Sequence, residues 1–162
     1  MGFISKSVLK RQDGFTFLEL MIVIIIIGLI TSQVSLNVSK LIANYKLKSI
    51  AHELISDLRY AQETSITQEG KTKIIFSKDV RKTRLSGYYV QSVKNKNFIT
   101  DKLIKFPQDI KMDYAKFGNY GQILFISNGK PKANGKVILK NQYGEELYVY
   151  VYNRGRFRIS TI

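Results

Sequence analysis

The sequence predicts an α+β fold in which one long N-terminal helix packs against an antiparallel, β-rich head. An apolar run from Leu20 to Ile30 continues into apolar residues that recur every three or four positions, which is the period of an amphipathic helix. From Lys71 onward the period changes to two, and turn residues such as Asn134-Gly135 separate short segments. No second long helical pattern follows, so the helix and the strands are expected to share one core.

The N-terminal segment combines basic residues, a glycine and a carboxylate with strongly apolar sequence. Lys10-Arg11-Gln12-Asp13-Gly14 precedes Phe15-Thr16-Phe17-Leu18-Glu19, and the apolar run begins at the next residue. An ordinary secretory signal has its small-residue cleavage site after the apolar run, whereas here the small residue comes before it. A plain signal anchor fits this order but leaves Glu19 without a role, although a charge at such a depth in a bilayer is costly.

The helix is expected to continue well beyond the apolar run. Its apolar positions form one stripe, which contains Val34, Val38, Leu41, Tyr45, Leu47, Ile50, Ala51, Leu54, Ile55, Leu58 and Ala61. The polar residues between them are expected to face away, namely Lys48, Glu53, Asp57, Arg59 and Glu63, and His52 is expected in solvent. Apart from Gly28 no helix breaker occurs between Phe15 and Glu69, and Gly70 is a suitable C-cap. Coiled-coil pairing also fits a long stripe, but the strand-rich sequence that follows needs a cover and favours packing on the head.

Eight segments of the C-terminal part alternate in the manner of β-strands. They are Lys73–Phe76, Tyr88–Val93, Leu103–Phe106, Ile110–Tyr114, Ile123–Ile126, Val137–Lys140, Leu147–Tyr152 and Arg156–Ser160. Tight turns between short strands indicate an antiparallel arrangement.

Composition excludes several kinds of function. The chain of 162 residues has no cysteine and one histidine, which excludes a multi-histidine metal site and a cysteine–histidine catalytic pair. No glycine-rich phosphate loop is present either, so we expect no catalytic residues, no metal and no cofactor. The net charge is +14, and nineteen basic and six acidic groups concentrate +13 of it in residues 71–162. Such a basic head indicates an anionic partner, or alternatively a lysine-rich surface that is simply solvated.

The segment from Gly14 to Glu19, with its apolar continuation, resembles the class III signal of type IV pilins and type II secretion pseudopilins. The resemblance implies that a membrane peptidase cleaves after Gly14 and methylates the new N-terminus at Phe15. It also implies that Glu19 is the assembly residue. Cleavage creates an ammonium at Phe15, which the Glu19 carboxylate of a neighbouring subunit can meet. Breaking such a buried pair costs about 3–5 kcal/mol, and head-to-tail contacts of this kind build an open helical filament.

The resemblance divides the chain into four parts and implies its partners. Residues 1–14 are the cleaved leader, 15–36 the transmembrane and filament-core helix, 37–70 the amphipathic helix and 71–162 the head. The apolar residues between Phe15 and Leu36 reach the roughly 20 that a span needs. Basic residues in the leader keep the N-terminus in the cytoplasm and the head outside, in the membrane first and later in an extracytoplasmic filament. Expected partners are the prepilin peptidase and methylase, other pilin or pseudopilin subunits and the inner-membrane assembly platform.

Three further segments are similar to the GspH/FimT branch of this family, which contains H-type minor pseudopilins and minor pilins. They are Ile50–Ala61, Ile123–Gly129 and the ending Gly155-Arg156-Phe157-Arg158. This similarity implies a minor subunit that primes or caps a type IV pilus or a type II secretion-type filament. Leu36 occupies a position where many pilins have proline, so the usual helix kink is not expected.

The C-terminal hairpin has a composition suited to nucleic-acid binding. With Leu147, Val149 and Val151 in the core, alternation leaves the intervening tyrosines on the other face, where Arg156 and Arg158 are expected to join them. Guanidinium groups bind phosphates and aromatic rings stack on bases, and in some FimT-like proteins a Gly-Arg-x-Arg ending is associated with DNA capture for transformation. Together with the pattern of the hairpin, this resemblance predicts as the alternative function the capture of extracellular DNA by Arg154, Arg156, Arg158, Tyr148 and Tyr150. Alternatively, another element covers the tyrosines and the arginines are only solvated.

Overall fold

A computed structural model describes residues 14–78, 86–94, 96–118 and 121–161, with the side chains of residues 33–37 left out. The predicted leader, except for Gly14, lies outside these residues. The chain forms two compact units that divide between Val38 and Ser39. One helix, α1, runs from Phe17 to Thr67 and contributes to both units. It begins two residues later and ends two residues earlier than the sequence predicts, and it continues through Gly28 without a break.

The C-terminal end of α1 corrects the predicted cap by one residue. The Glu69 N–H donates to the Ile66 carbonyl and the Gly70 N–H donates to the Ser65 carbonyl, both at 3.1 Å. This pair of bonds is the Schellman ending, whose left-handed residue is usually glycine. Here Glu69 adopts that conformation with a φ of 46°, and Gly70 is the residue after it.

All eight predicted strands are present, and they form two four-stranded antiparallel sheets. The strands are β1 Thr72–Ser77, β2 Gly87–Lys94, β3 Asn97–Lys105, β4 Ile110–Phe117, β5 Gln122–Phe125, β6 Gly135–Asn141, β7 Glu146–Tyr152 and β8 Arg156–Ser160. The first sheet has the order β3-β2-β1-β5 and the second β4-β6-β7-β8. Strand β3 begins six residues earlier than predicted, directly after Lys96, which turns the chain with a φ of 67°.

The core of the second unit lies between α1 and the inner faces of both sheets. The helix contributes small and aliphatic side chains at spacings of three and four residues: Leu47, Ala51, Leu54, Leu58 and Ala61. The sheets contribute apolar and aromatic residues, of which Tyr88, Phe106, Phe117 and Phe125 are the largest fully buried ones. The predicted stripe is wrong at its N-terminal end, because Leu41 and Tyr45 are exposed while Ala43 is buried.

Asp57 is a second correction, because this carboxylate is buried rather than turned to solvent. Only 5% of its side chain is exposed. Its Oδ2 accepts a 2.7 Å hydrogen bond from the Tyr88 hydroxyl, and its Oδ1 accepts one of 2.7 Å from Lys102 Nζ. Burial and this hydrogen bond raise the pKa of Tyr88 above its ordinary value of 10.0. Asp57 thereby joins α1 to β2 and β3 through a satisfied polar cluster.

The first unit exposes most of its apolar surface. The exposure of the large apolar side chains between Phe15 and Ile30 ranges from 48% to 84%. Among the described residues, no stretch of helix is both long and apolar enough to qualify as a membrane span.

Candidate functional site

Thr16 caps the start of α1 and brings Glu19 into the first turn. The Glu19 N–H donates to Thr16 Oγ1 at 3.3 Å, and the Leu20 N–H donates to the Thr16 carbonyl at 3.2 Å. Thr-x-x-Glu is the capping-box sequence, and a carboxylate in the first turn also interacts favourably with the helix dipole. Sequence reasoning assigned Glu19 to assembly alone, although the Thr-x-x-Glu spacing predicts this second, local role. Gly14 and Phe15 are exposed and immediately precede the cap.

The C-terminal hairpin of β7 and β8 has the predicted division of faces. Leu147, Val149 and Val151 are buried. On the opposite face Tyr150 pairs with Arg158, and Tyr152 pairs with Arg156. Both arginines are exposed, so the structure brings them together with two of the three tyrosines.

The same outer face continues across β6 and β4, where sequence reasoning named no site residue. Lys136 of β6 is the cross-strand partner of Tyr150, and Lys116 of β4 is the partner of Lys136. One row across the sheet therefore reads Lys116, Lys136, Tyr150 and Arg158. We call four cations at one end of this face, Lys116, Lys136, Arg156 and Arg158, the basic strip. A shallow groove of about 380 Å³ runs beside it and is lined by Tyr114, Lys116, Lys136, Tyr150 and Tyr152, among others.

The tyrosines of β7 form a stack along the strand. The ring centroids of Tyr148 and Tyr150 are 6.2 Å apart, and those of Tyr150 and Tyr152 are 6.4 Å apart, with interplanar angles of 16° and 22°. Lys136 Nζ lies 5.4 Å from the Tyr148 ring centroid, within cation–π distance. Tyr148 is buried, and exposure increases along the strand to 39% at Tyr152. Tyr148 is therefore covered by its neighbours on the sheet, whereas Tyr152 is open to solvent.

Acidic groups occur at the opposite end of this face. Lys140 Nζ lies 3.0 Å from Glu146 Oε1, and the Tyr148 hydroxyl donates to Glu146 Oε2 at 2.9 Å. The hydrogen bonds from Lys140 and Tyr148 lower the pKa of Glu146, and the bond to Glu146 raises the pKa values of Lys140 and Tyr148. Tyr148 is thus committed to a partner within the protein, which weakens its case as a DNA contact.

Gly155 has a structural role that is separate from the neighbouring arginines. It has a φ of 76°, and a Cβ at this position would collide with the Gln62 side chain of α1. Gly129, with a φ of 73°, meets α1 in the same way at Ile66, and Gln62 Nε2 donates to the Gly129 carbonyl at 2.9 Å. Both glycines of the GspH/FimT-like segments thus allow turns to pack on the end of α1. Arg154 is exposed in the turn before Gly155 rather than in a strand.

The described part of the chain holds no cluster of three or more metal-binding side chains. His52 is exposed on α1, as expected.

Comparisons with known proteins agree with both the N-terminal motif and the fold. Residues 9–32 match the family described as prokaryotic N-terminal methylation motif, and this range includes Gly14, Phe15 and Glu19. The chain is 23% identical over 143 residues to the competence protein ComGD of Bacillus subtilis strain 168, covering 88% of this chain and 90% of that protein.

Two solved structures share the fold. The minor pseudopilin EpsH from the type 2 secretion system of Vibrio cholerae matches with a TM-score of 0.57 and 12% identity, over 72% of this chain and 97% of that one. The type IV minor pilin FimU of Pseudomonas aeruginosa PAO1 matches with a TM-score of 0.55 and 14% identity, over 72% of this chain and 90% of that one.

The motif, the sequence relative and the fold all support the type IV pilin and pseudopilin family. Its head has the fold seen in minor subunits of that family, and the expected pilin-like α+β class is confirmed. The motif implies a membrane-anchored pilin that a prepilin peptidase processes and that assembles with other pilins. Members of the family are structural subunits, in agreement with a non-enzymatic role.

Proposed function

We propose that this chain is a minor pilin or pseudopilin that primes or caps a filament of the type IV pilus or type II secretion class. The observation that carries the proposal is the prepilin-type motif at the start of α1, where the cap at Thr16 positions Glu19 in the first helical turn. The fold shared with a minor pseudopilin and a minor pilin supports the minor role.

In this proposal the prepilin peptidase cleaves after Gly14 and methylates Phe15. Residues 15–36 then hold the subunit in the membrane, with the head outside, until the assembly platform transfers it to the filament. The Glu19 carboxylate pairs there with the Phe15 ammonium of an adjacent subunit. The exposed apolar side chains between Phe15 and Ile30 supply the surface that lipid covers first and neighbouring helices cover later.

The two roles of Glu19 can be separated by substitution. Glutamine preserves a capping box but has no charge, so Glu19→Gln should retain the helix start and lose the ion pair. We expect the Glu19→Gln protein to be processed normally and to be depleted from sheared filaments at least tenfold, because loss of one member of a buried pair costs about 3–5 kcal/mol. Thr16→Ala is the reciprocal control, since it removes the cap and leaves the carboxylate in place. If Glu19→Gln is recovered at the wild-type level, Glu19 acts only as a cap and the ion-pair account is wrong.

Processing is tested by the intact mass of protein extracted from membranes. Wild-type protein should begin at a methylated Phe15, and Gly14→Ala should accumulate with its first fourteen residues attached. A Gly14→Ala product that is fully shortened would contradict cleavage at this bond.

A second function, capture of extracellular DNA, is favoured by the exposed arginines of the hairpin. Arg156 and Arg158 lie on one face with Tyr150 and Tyr152, in a head of net charge +13. The relative from Bacillus subtilis is named as a competence protein, which supports a role of this chain in DNA uptake. The test is binding of duplex DNA by the full chain in a non-ionic detergent, compared with Arg156→Gln/Arg158→Gln. Binding that the double variant retains undiminished would remove the hairpin arginines from this function.

A further inference from the structure

The register of the second sheet extends the cationic surface beyond the C-terminal hairpin. Lys116 and Lys136 align with Tyr150 and Arg158 in one row across β4, β6, β7 and β8. Neighbouring strands are about 4.8 Å apart, so this row spans about 14 Å. Arg156 lies in the next row on the same face. Lysines that are far from the hairpin in sequence are thereby placed beside its arginines.

The distribution of acidic groups makes one end of this face the favoured site for an anionic ligand. Glu146 and its partner Lys140 occupy the row nearest the start of β4, where Asp113 also contributes negative charge. The basic strip lies at the other end, and no acidic residue occurs in its two rows. A linear anion is therefore attracted to the basic strip more strongly than to the Glu146 end, where Lys111 and Lys140 offset the charges of Glu146 and Asp113.

The stacking of the tyrosines determines which part of a nucleic acid this face can bind. Tyr150 is stacked between Tyr148 and Tyr152, so both faces of its ring already have aromatic neighbours. Tyr148 also has Lys136 over its ring and donates its hydroxyl to Glu146. Tyr148 and Tyr150 therefore present no free ring face for a base. This geometry argues against base stacking by Tyr148 and Tyr150, which stays a prediction of the sequence.

We propose that the basic strip binds a linear polyanion through its backbone phosphates, independently of its bases, and that Lys116 and Lys136 contribute as much as the hairpin arginines. The inference rests on the second proposed function and defines its ligand as duplex DNA. Duplex DNA carries one negative charge per 1.7 Å of axis, and each neutralised phosphate steepens the salt dependence of log K by about 0.9. The tyrosines act as a platform that holds Lys136 in place.

The experiment compares two variants of equal charge in the full mature chain, held in a non-ionic detergent. The strip variant is Lys116→Gln/Lys136→Gln. The matched control is Lys71→Gln/Lys105→Gln, which removes two exposed lysines beside the first sheet. Fluorescence anisotropy measures binding of a duplex of about 30 base pairs at about 50 to 300 mM NaCl, a range over which the salt dependence of log K can be measured. Near-ultraviolet circular dichroism checks that each variant is folded.

We expect the strip variant to lose about 2 from the magnitude of the salt slope and roughly 60-fold in affinity near 0.1 M salt, since two phosphate contacts are lost. The control should stay within about twofold of wild type. Equal losses in both variants would show that net charge alone attracts DNA and would overturn the proposed strip. Unchanged binding by the strip variant with loss in Arg156→Gln/Arg158→Gln would also overturn it while leaving DNA capture by the hairpin intact. No duplex binding by the wild type would remove both DNA proposals and leave the filament role untouched.

A further variant tests independence from the bases. Tyr150→Leu should change affinity for a 30-nucleotide oligo(dT) by less than about twofold, and the wild type should bind the duplex at least as tightly as the single strand. If the ring stacks on a base, the loss would instead be roughly 5- to 150-fold, and that result would overturn recognition through phosphates.

Discussion

The buried Asp57 cluster leads to a quantitative prediction about the head. Replacing Lys102 with methionine keeps an apolar stem of similar length and removes the ammonium that contacts Asp57 Oδ1 at 2.7 Å. The carboxylate then remains 95% buried and retains the hydroxyl of Tyr88 as its donor. We expect Lys102→Met to lower the free energy of unfolding by about 2 kcal/mol.

The magnitude follows from the unequal exposure of the two partners. Removing one member of a fully buried pair costs about 3–5 kcal/mol, whereas an exposed pair contributes at most about 1 kcal/mol. The Asp57 side chain is 5% exposed but that of Lys102 is 45% exposed, so solvent screens part of the attraction. A value between the two limits is therefore appropriate. Asp57→Asn/Lys102→Met should recover about half of the loss, because the uncompensated charge is gone.

Urea unfolding of the full chain in a non-ionic detergent measures this difference. The chain has no tryptophan, and its ten tyrosines all lie between Tyr45 and Tyr152. The near-ultraviolet circular dichroism of the tyrosines therefore reports on the second unit. Lys94→Met is the matched control, because Lys94 forms a longer ion pair of 3.8 Å with Asp101 within the same β2–β3 hairpin. Its cost should be below about 1 kcal/mol. A cost for Lys102→Met that is no larger than for Lys94→Met would refute the reasoning and indicate that water solvates Asp57.

Three further predictions concern backbone conformation and pH. Glu69→Gly should stabilise the head by about 1 kcal/mol, because glycine adopts the left-handed conformation without the penalty that Glu69 bears; an unchanged urea midpoint would contradict this. Gly155→Ala should cost more than Gly144→Ala by about 1 kcal/mol, since both glycines have positive φ but only at Gly155 would a methyl group displace the Gln62 amide from its bond to the Gly129 carbonyl; equal midpoints would exclude close packing on α1. The pKa of Tyr88 is raised above 10.0, so its contribution to stability is fully present below pH 10 and is lost as the pH rises above it. Urea midpoints between about pH 8 and pH 11 should fall less steeply for Tyr88→Phe, and equal slopes would contradict the buried hydroxyl.

Local patterns predict the elements of this fold well because they depend on neighbours in sequence. Alternation along β7 correctly buries Leu147, Val149 and Val151, and the three- and four-residue spacing correctly buries Leu54 and Leu58. The same reasoning fails for Asp57, since its donors come from residues 31 and 45 positions away. From the sequence, a charged residue is predicted to face solvent unless its partners are known. The partners of Asp57 are brought to it only when α1 packs on β2 and β3.

The candidate site shows the same limit. Arg156 and Arg158 belong to a recognisable sequence motif, whereas Lys116 and Lys136 have no special spacing along the chain. Their position beside Tyr150 follows from the pairing of β4 with β6 and of β6 with β7. The outward alternation of Lys136, Ile138 and Lys140 was the available signal, but it does not reveal which strands are neighbours.

The two proposed functions depend on different surfaces, and this allows them to be tested separately. The basic strip lies on the face of the second sheet that is opposite to Val137, Leu139 and Val149, which pack in the core with α1. Assembly, by contrast, is proposed to depend on Glu19 at the start of the helix. Substitution of the strip removes surface cations without touching the helix, so Lys116→Gln/Lys136→Gln should enter sheared filaments at the wild-type level. Glu19→Gln should be depleted from filaments and bind duplex DNA as purified protein with wild-type affinity. Loss of both properties in either variant would show that assembly and DNA binding share residues, and it would contradict their separation onto different surfaces.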